Sequence, residues 1–285
     1  MLKVEKNSQY DNMTRDELLG TISELNNKIA MNEEFLLNIS HDLRSPINVI
    51  LSIVQFLENI HRDNNDSKVK EYRDLIKRNC FKIIKLIDNL IDTTKLEGNF
   101  YNLNMKNIEV ISMIEAIVTS IDEYAEQKKI QLVFDTNVEE CVSAVDPQAL
   151  DRIMMNLLSN AIKFSPIETH IFIDLFVDKQ YIKISVRDEG PGIAKEEQNV
   201  IFDRFVQSSH NKREEFAGSG IGLDLVNYLT RAHGGTVELK SEEGIGSEFT
   251  VKIPVKLIED EEVDFNLLRK DKVQQLEIEF SDIYL

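Results

Sequence analysis

The 285 residues set 33 lysines and arginines against 50 aspartates and glutamates, a formal charge of −17, with 42% hydrophobic and 29% charged residues. That balance reads as a soluble globular chain of roughly two domains, and it opposes non-specific attraction to nucleic acid and to anionic lipid. No apolar run approaches the ~20 residues a membrane-spanning helix needs, and Cys80 and Cys141 form no C-x-x-C pair, which argues against a disulfide framework or a zinc site.

Both cysteines are expected to be reduced, buried thiols. The opening residues, "MLKVEKNSQYDNMTRDELLG", hold no apolar core of a secretory signal, so the chain as given is expected to remain cytoplasmic. From residue 13 to residue 60 the pattern is helical. Leu18, Ile22, Leu25 and Ile29 step by 4, 3 and 4, as in a coiled-coil seam. In "NISHDLRSPINVI" the apolar Ile39, Leu43, Ile47 and Ile50 share a face, and His41 and Asp42 are followed by Pro46, a residue that costs a helix interior about 3 kcal/mol.

A turn-rich break at residues 61–67, "HRDNNDS", leads into a second helical pattern carrying Ile76, Cys80, Ile83, Ile87 and Leu90, closed by Gly98 and Asn99. Two amphipathic helices joined by a short loop cannot bury both apolar stripes alone. Pairing two hairpins as a four-helix bundle solves this, so a homodimer is expected.

After residue 100 short β-rich runs appear, "QLVFDT", "HIFIDLFV", "YIKISVRD", "TVELKS" and "EFTVKIPV", between helical patterns near 111–128, 147–163 and 220–233. Their alternating faces predict a sheet covered by helices on one side, an α+β arrangement. Residues 258–285 carry nine acidic and three basic side chains. They read either as a solvated acidic extension or, through the alternation in "LEIEFSDIYL", as a strand pairing with a sheet edge or a partner.

Several constellations carry chemistry. Asn156 and Asn160, four apart, project from one helical face with Lys163 on the neighbouring row. An amide carbonyl there suits Mg²⁺, which takes oxygen ligands and completes its shell with phosphate and water, and satisfied buried amides are the bland alternative. "RDEGPGI" sets Gly190 and Gly192 after a strand, with Asp188 as an acceptor suited to an amino group such as adenine N6. "GSGIGL" puts Gly218, Gly220 and Gly222 at a helix start, where exposed N–H groups favour phosphate, although the same letters describe a hinge. Between them "VQSSHNKREEFA" has the length of an active-site lid. Its Lys212 and Arg213 are either solvated charges or groups that fold over a nucleotide.

In their order and spacing these segments, with "IFDRF" and "GIGSEF", resemble the ATP-binding domain of two-component sensor histidine kinases, and "FLLNISHDLRSPINVI" resembles their phosphoacceptor segment. The resemblance covers roughly residues 20–255. It implies an N-terminal signalling helix (1–30), a dimerisation and phosphoacceptor hairpin (31–99) that pairs as a four-helix bundle, an α/β sandwich of Bergerat type binding ATP and Mg²⁺ (100–257), and an acidic tail (258–285). By that resemblance His41 accepts the γ-phosphoryl group and Asp42 orients and deprotonates it. Asn160 holds Mg²⁺, Asn156 supports the phosphate and metal network, and Lys163 binds phosphate. Asp188 recognises adenine, Gly190 and Gly192 shape its pocket, Gly218, Gly220 and Gly222 border the triphosphate, and Phe202 and Phe205 pack the lid base.

The implied partners are a second copy of the chain, the receiver domain of a response regulator, and an input domain placed upstream or in another protein. Ser45 stands where relatives with phosphatase activity carry Thr or Asn, and Ser247 where a threonine is common. A Bergerat ATPase or nucleotide-binding module with a dimerising hairpin and no histidine phosphorylation is the competing reading. His61, His170, His210 and His233 are expected to be inert surface residues.

Overall fold

The computed structural model describes residues 14, 15, 18–22, 43–55, 66–97, 103–203, 206, 220–259 and 272–282. His41, Asp42, Leu25, Ile29, Phe205, Lys212, Arg213 and Gly218, singled out above, lie outside the described residues, as do His61 and His210. The chain divides into two units, residues 1–45 and 46–285. In the first, residues 18–22 and 43–45 are helical.

Helical backbone covers residues 43–55 (α1) and runs through Pro46, which is buried. Helix α2, Asp66–Glu97, follows. Ile53 and Phe81 are buried, whereas Ile47, Leu51 and Val54 on α1 and Val69, Ile87 and Ile91 on α2 are exposed in the single chain. Cys80 is exposed as well, contrary to expectation, and Cys141 is buried. The reason is that Cys80 sits on the apolar row of α2 that finds no cover within one copy.

The remaining elements are β1 (Lys106–Glu109), α3 (Val110–Gln127), β2 (Gln131–Thr136), β3 (Val142–Val145), α4 (Pro147–Phe164), β4 (His170–Val177), β5 (Tyr181–Asp188), α5 (Gly222–Ala232), β6 (Thr236–Glu242), β7 (Gly246–Pro254) and α6 (Lys272–Glu279), with a 3₁₀ turn over Phe280–Asp282. Five strands form one sheet in the order β2-β4-β5-β7-β6, with β1 and β3 paired separately. β2 runs parallel to β4 and the other neighbours are antiparallel.

Burial alternates along the central strands because side chains of a strand point to opposite faces. Ile171, Ile173, Leu175, Ile182, Ile184, Val251 and Ile253 face inward, and Asp174 and Phe176 face water. Ile114, Ile117 and Ile121 of α3, Leu150, Ile153 and Leu158 of α4, and Leu225 and Leu229 of α5 close over the inner face. Each contributes about 1.5–3 kcal/mol by leaving water.

Acidic caps start two of these helices. Glu109 accepts from the N–H groups of Ile111 and Ser112 at the head of α3 and from Cys141 N–H at 2.7 Å. Burial alone raises its carboxyl pKa, and these bonds win and hold it below the ordinary value. Asp146 caps α4, accepting from Gln148 and Ala149, with Pro147 in the first turn, where a missing N–H costs nothing.

Two further expectations are corrected. His233 is not a surface residue: its ring is fully buried. And "LEIEF" is not a strand. Leu276 and Phe280 lie four apart on α6 and its 3₁₀ continuation and are both buried, a helical spacing that the two-residue alternation with Glu277 and Glu279 had masked.

Candidate functional site

Helix α4 is buried along most of its length. Arg152, Asn156, Asn160 and Lys163 are the half-buried positions along it before its last residue, and their spacing of four, four and three places them in one stripe. A polar stripe on a core helix has to face either partners or a ligand. Asn156 Nδ2 donates to Arg152 O at 2.9 Å, which turns its carbonyl oxygen away from its own helix. That oxygen, Oδ1, faces Gly222, the first residue of α5: a Cβ at Gly222 would stand 2.5 Å from it. No side-chain cap covers this helix start, where Ile221 is the cap residue, and the head of a helix is a place where backbone N–H groups suit an anion. Gly220, two residues earlier, has φ +68, a conformation glycine adopts without strain.

The other end of α4 meets the loop after β5. A Cβ at Gly190 would lie 3.2 Å from Phe164 O and 2.7 Å from Asp188 Oδ1, which accepts the Gly190 N–H at 2.8 Å. Asp188 is 9% exposed. Burial pushes its carboxyl above the ordinary carboxylate value, against the pull of N–H bonds from Gly190 and Ser247. Gly192 has φ +69 and packs on the backbone of Glu242 and Glu243 with no room for a side chain.

The loop is pinned from the β6–β7 turn. Ile193 N–H donates to Ser241 Oγ (2.8 Å), Ser241 Oγ donates to Gly246 O (2.9 Å) and lies 2.9 Å from Ser247 Oγ, and Gly244 N–H donates to Pro191 O (2.7 Å). Ser247 thus helps hold the Asp188 loop, which a hydroxyl does whether or not a methyl accompanies it. Phe202 meets Phe249 edge-on at 6.2 Å.

Two groups unseen in the sequence fix α4 itself. The Lys128 ammonium donates to Ile162 O (2.6 Å), Lys163 O (3.0 Å) and Ser165 O (3.1 Å), satisfying carbonyls left over at the helix end, where a cation also suits the dipole. Burial lowers its pKa. At the other end His233 Nε2 accepts the Asp146 N–H (3.0 Å), so Nδ1 carries the proton and donates to Leu229 O (2.7 Å). Only "VDPQAL", an acidic cap before proline, was a legible signal for this region. Nothing in the sequence marked Lys128 or His233.

The described residues therefore bring together Asn156, Asn160, Lys163, Asp188, Gly190, Gly192, Gly220 and Gly222 along one helix. A buried acceptor for an amino group lies at one end, and the start of α5 meets its middle at Asn156. Such an arrangement suits a nucleotide with its base toward Asp188 and its phosphates toward Gly222. Among the described residues no helix is long and apolar enough to cross a membrane.

Comparison with known proteins agrees in both halves. Residues 145–257 match the model for histidine kinase-, DNA gyrase B- and HSP90-like ATPases, and residues 31–99 match the His Kinase A (phospho-acceptor) domain. Hybrid signal transduction histidine kinase D of Dictyostelium discoideum is 29% identical over 245 residues, 84% of this chain and 16% of that protein. Acinetobacter baumannii histidine kinase AdeS superposes with a TM-score of 0.57 at 22% identity, covering 76% of this chain and 98% of that one. Histidine kinase ThkA, in complex with the response regulator protein TrrA, gives 0.60 at 18% identity, covering 86% and 68%. The chain spans between 10% and 42% of the length of the curated relatives it matches.

Proposed function

Because this chain belongs to the two-component sensor histidine kinase family, we propose that it is an ATP-dependent protein histidine kinase that phosphorylates its own His41 and passes the phosphoryl group to an aspartate of a response-regulator receiver domain. The observation that carries this reading is the convergence of Asp188, Asn156 and the uncapped Gly222 helix start on α4, in the same chain as a phosphoacceptor segment.

Asp188 receives the adenine amino group, and backbone N–H groups at the head of α5 receive phosphate oxygens. Lys163 adds positive charge where negative charge gathers on the phosphates. Asn160 offers a carbonyl oxygen to Mg²⁺, which when bound neutralises phosphate charge. A nitrogen of the His41 imidazole forms a bond to the γ-phosphorus as the bond from that phosphorus to the β–γ bridging oxygen breaks, releasing ADP. Asp42 takes up the proton that the other ring nitrogen loses. The exposed apolar positions Ile47, Leu51, Ile87 and Ile91 support pairing of two hairpins, since a second copy covers what one leaves bare. The proposed domain limits remain 1–30, 31–99, 100–257 and 258–285.

Incubation with [γ-³²P]ATP should give an acid-labile, alkali-stable phosphoprotein. The label should be lost in His41→Ala and chased by a receiver domain. Label that survives in His41→Ala rejects the assignment.

A further inference from the structure

The last described helix, α6, ties two parts of the chain together. Its Phe280 is fully buried and stacks on Tyr124 of α3, with centroids 4.8 Å apart and planes inclined by 24°. Leu276 and Ser281 are buried beside it, 6% and 1% exposed. On α4, Ser159 Oγ donates to Glu279 Oε1 at 3.0 Å.

The same segment holds α2 of the hairpin. Lys85 Nζ donates to Glu279 O at 2.6 Å and pairs with its carboxylate at 3.5 Å, both side chains about four-fifths covered. Lys77 pairs with Glu277 at 2.6 Å. Half-buried Arg152 of α4 lies within electrostatic reach of both Asp88 of α2 and Glu279. One carboxylate therefore joins α2 to α4 at Ser159, the residue next to Asn160. An eight-residue helix is marginal alone, so α6 owes its helical form to this docking.

We propose that residues 272–282 are a built-in clasp that fastens the nucleotide-binding domain to α2 and restrains phosphorylation of His41 until it lets go. The inference rests on the kinase reading above. In that reading a nucleotide held by α4 has to be delivered to His41, which precedes α2 in the chain. A domain fastened to α2 through Lys77 and Lys85 is not free to make that excursion. The contact is part apolar and part ionic. Phe280 and Leu276 supply the anchor, and the Lys77 and Lys85 pairs supply a component that salt weakens.

The test compares the full chain with Phe280→Ala and with a chain ending at Asp271, to which a synthetic peptide of residues 272–285 is returned. Amide hydrogen exchange across α2 residues 76–88 reports the clasp without reference to catalysis. Phosphorylation of His41 reports the restraint, and a fluorescent ATP analogue checks that the cleft still binds nucleotide.

Both variants should exchange faster in α2. They should phosphorylate roughly five-fold faster or more, the usual span of coupling between distinct sites, at unchanged nucleotide affinity. The wild-type peptide, and not its Phe280→Ala form, should reverse both effects. Unchanged exchange in α2 overturns the clasp. An unchanged or lower rate with nucleotide binding intact overturns the restraint. A wild-type chain that exchanges as expected and takes up no phosphate at all instead refutes the kinase reading and leaves the clasp standing.

Discussion

Asn156 Oδ1 occupies the place where a Cβ on Gly222 would come within 2.5 Å. This contact sets the approach of α4 and α5, and it makes two residues 66 positions apart one steric unit. Gly222→Ala should cost about 1–3 kcal/mol in urea unfolding, the usual penalty for an extra methyl in a packed place. In an Asn156→Ala background most of that penalty should vanish, because the conflicting amide is gone. A double-mutant cycle in which the two costs simply add contradicts the contact.

Asp188 is a buried carboxyl raised above its ordinary value by desolvation. Ionised near neutrality, it destabilises the empty domain and strengthens acceptance of an amino group. Asp188→Asn should therefore leave thermal stability at pH 7 unchanged or higher while weakening nucleotide binding by at least about tenfold, one charge-assisted hydrogen bond of ~1.5–3 kcal/mol. In the wild type, nucleotide affinity should fall as the pH drops through the raised pKa, because the protonated acid presents a donor to a donor. Calorimetric titration between pH 4 and 8, as a design range, reads both. Affinity independent of pH across that range speaks against Asp188 as the adenine acceptor.

His233 is held neutral, its pKa lowered chiefly by burial and opposed by its bond to Leu229. The unfolded chain binds a proton at this ring more readily than the folded one. Its contribution to stability is thus intact above the usual histidine range and is lost as the pH falls through the depressed folded value. His233→Phe should cost about 1–3 kcal/mol by stranding the buried Asp146 N–H, and it should flatten that acid limb of the stability profile. An unchanged limb assigns the acid sensitivity to other groups.

The apolar row on the hairpin gives a prediction about assembly. Leu51 and Ile87 are 51% and 44% exposed in one copy, so replacing either by Asp should not disturb the fold of a single chain. Sedimentation should find a dimer for the wild type and a monomer for Leu51→Asp and Ile87→Asp, with the nucleotide domain melting as before. Dimers that survive both changes place the interface elsewhere.

Much of this architecture can be read from the letters. The runs at residues 131–136, 170–177 and 181–188 are strands with those bounds, because each is long enough to show two-residue alternation and is bounded by turn formers. β1 and β3 are four residues each, too short for any period to stand out, and they exist because they pair with each other. The glycines and Asp188 were legible because their chemistry is local. Lys128 was not, since nothing near it in sequence tells that its ammonium will meet carbonyls 34 to 37 residues away. The tail misled for a related reason: "LEIEF" fits both a strand and one turn of helix, and only the aromatic ring of Tyr124 decides between them.

β2 and β4 run side by side in the same direction, and strands so arranged are joined only by a chain that crosses over, here the one containing α4. The helix that would carry the phosphates is therefore enclosed in a loop that must close before the sheet's first edge exists, and such closures are among the slower events of folding. Substitutions on its buried side, at Leu158 for example, then act on how quickly the domain is made as well as on how long it lasts, whereas those on the polar stripe act on the finished domain alone.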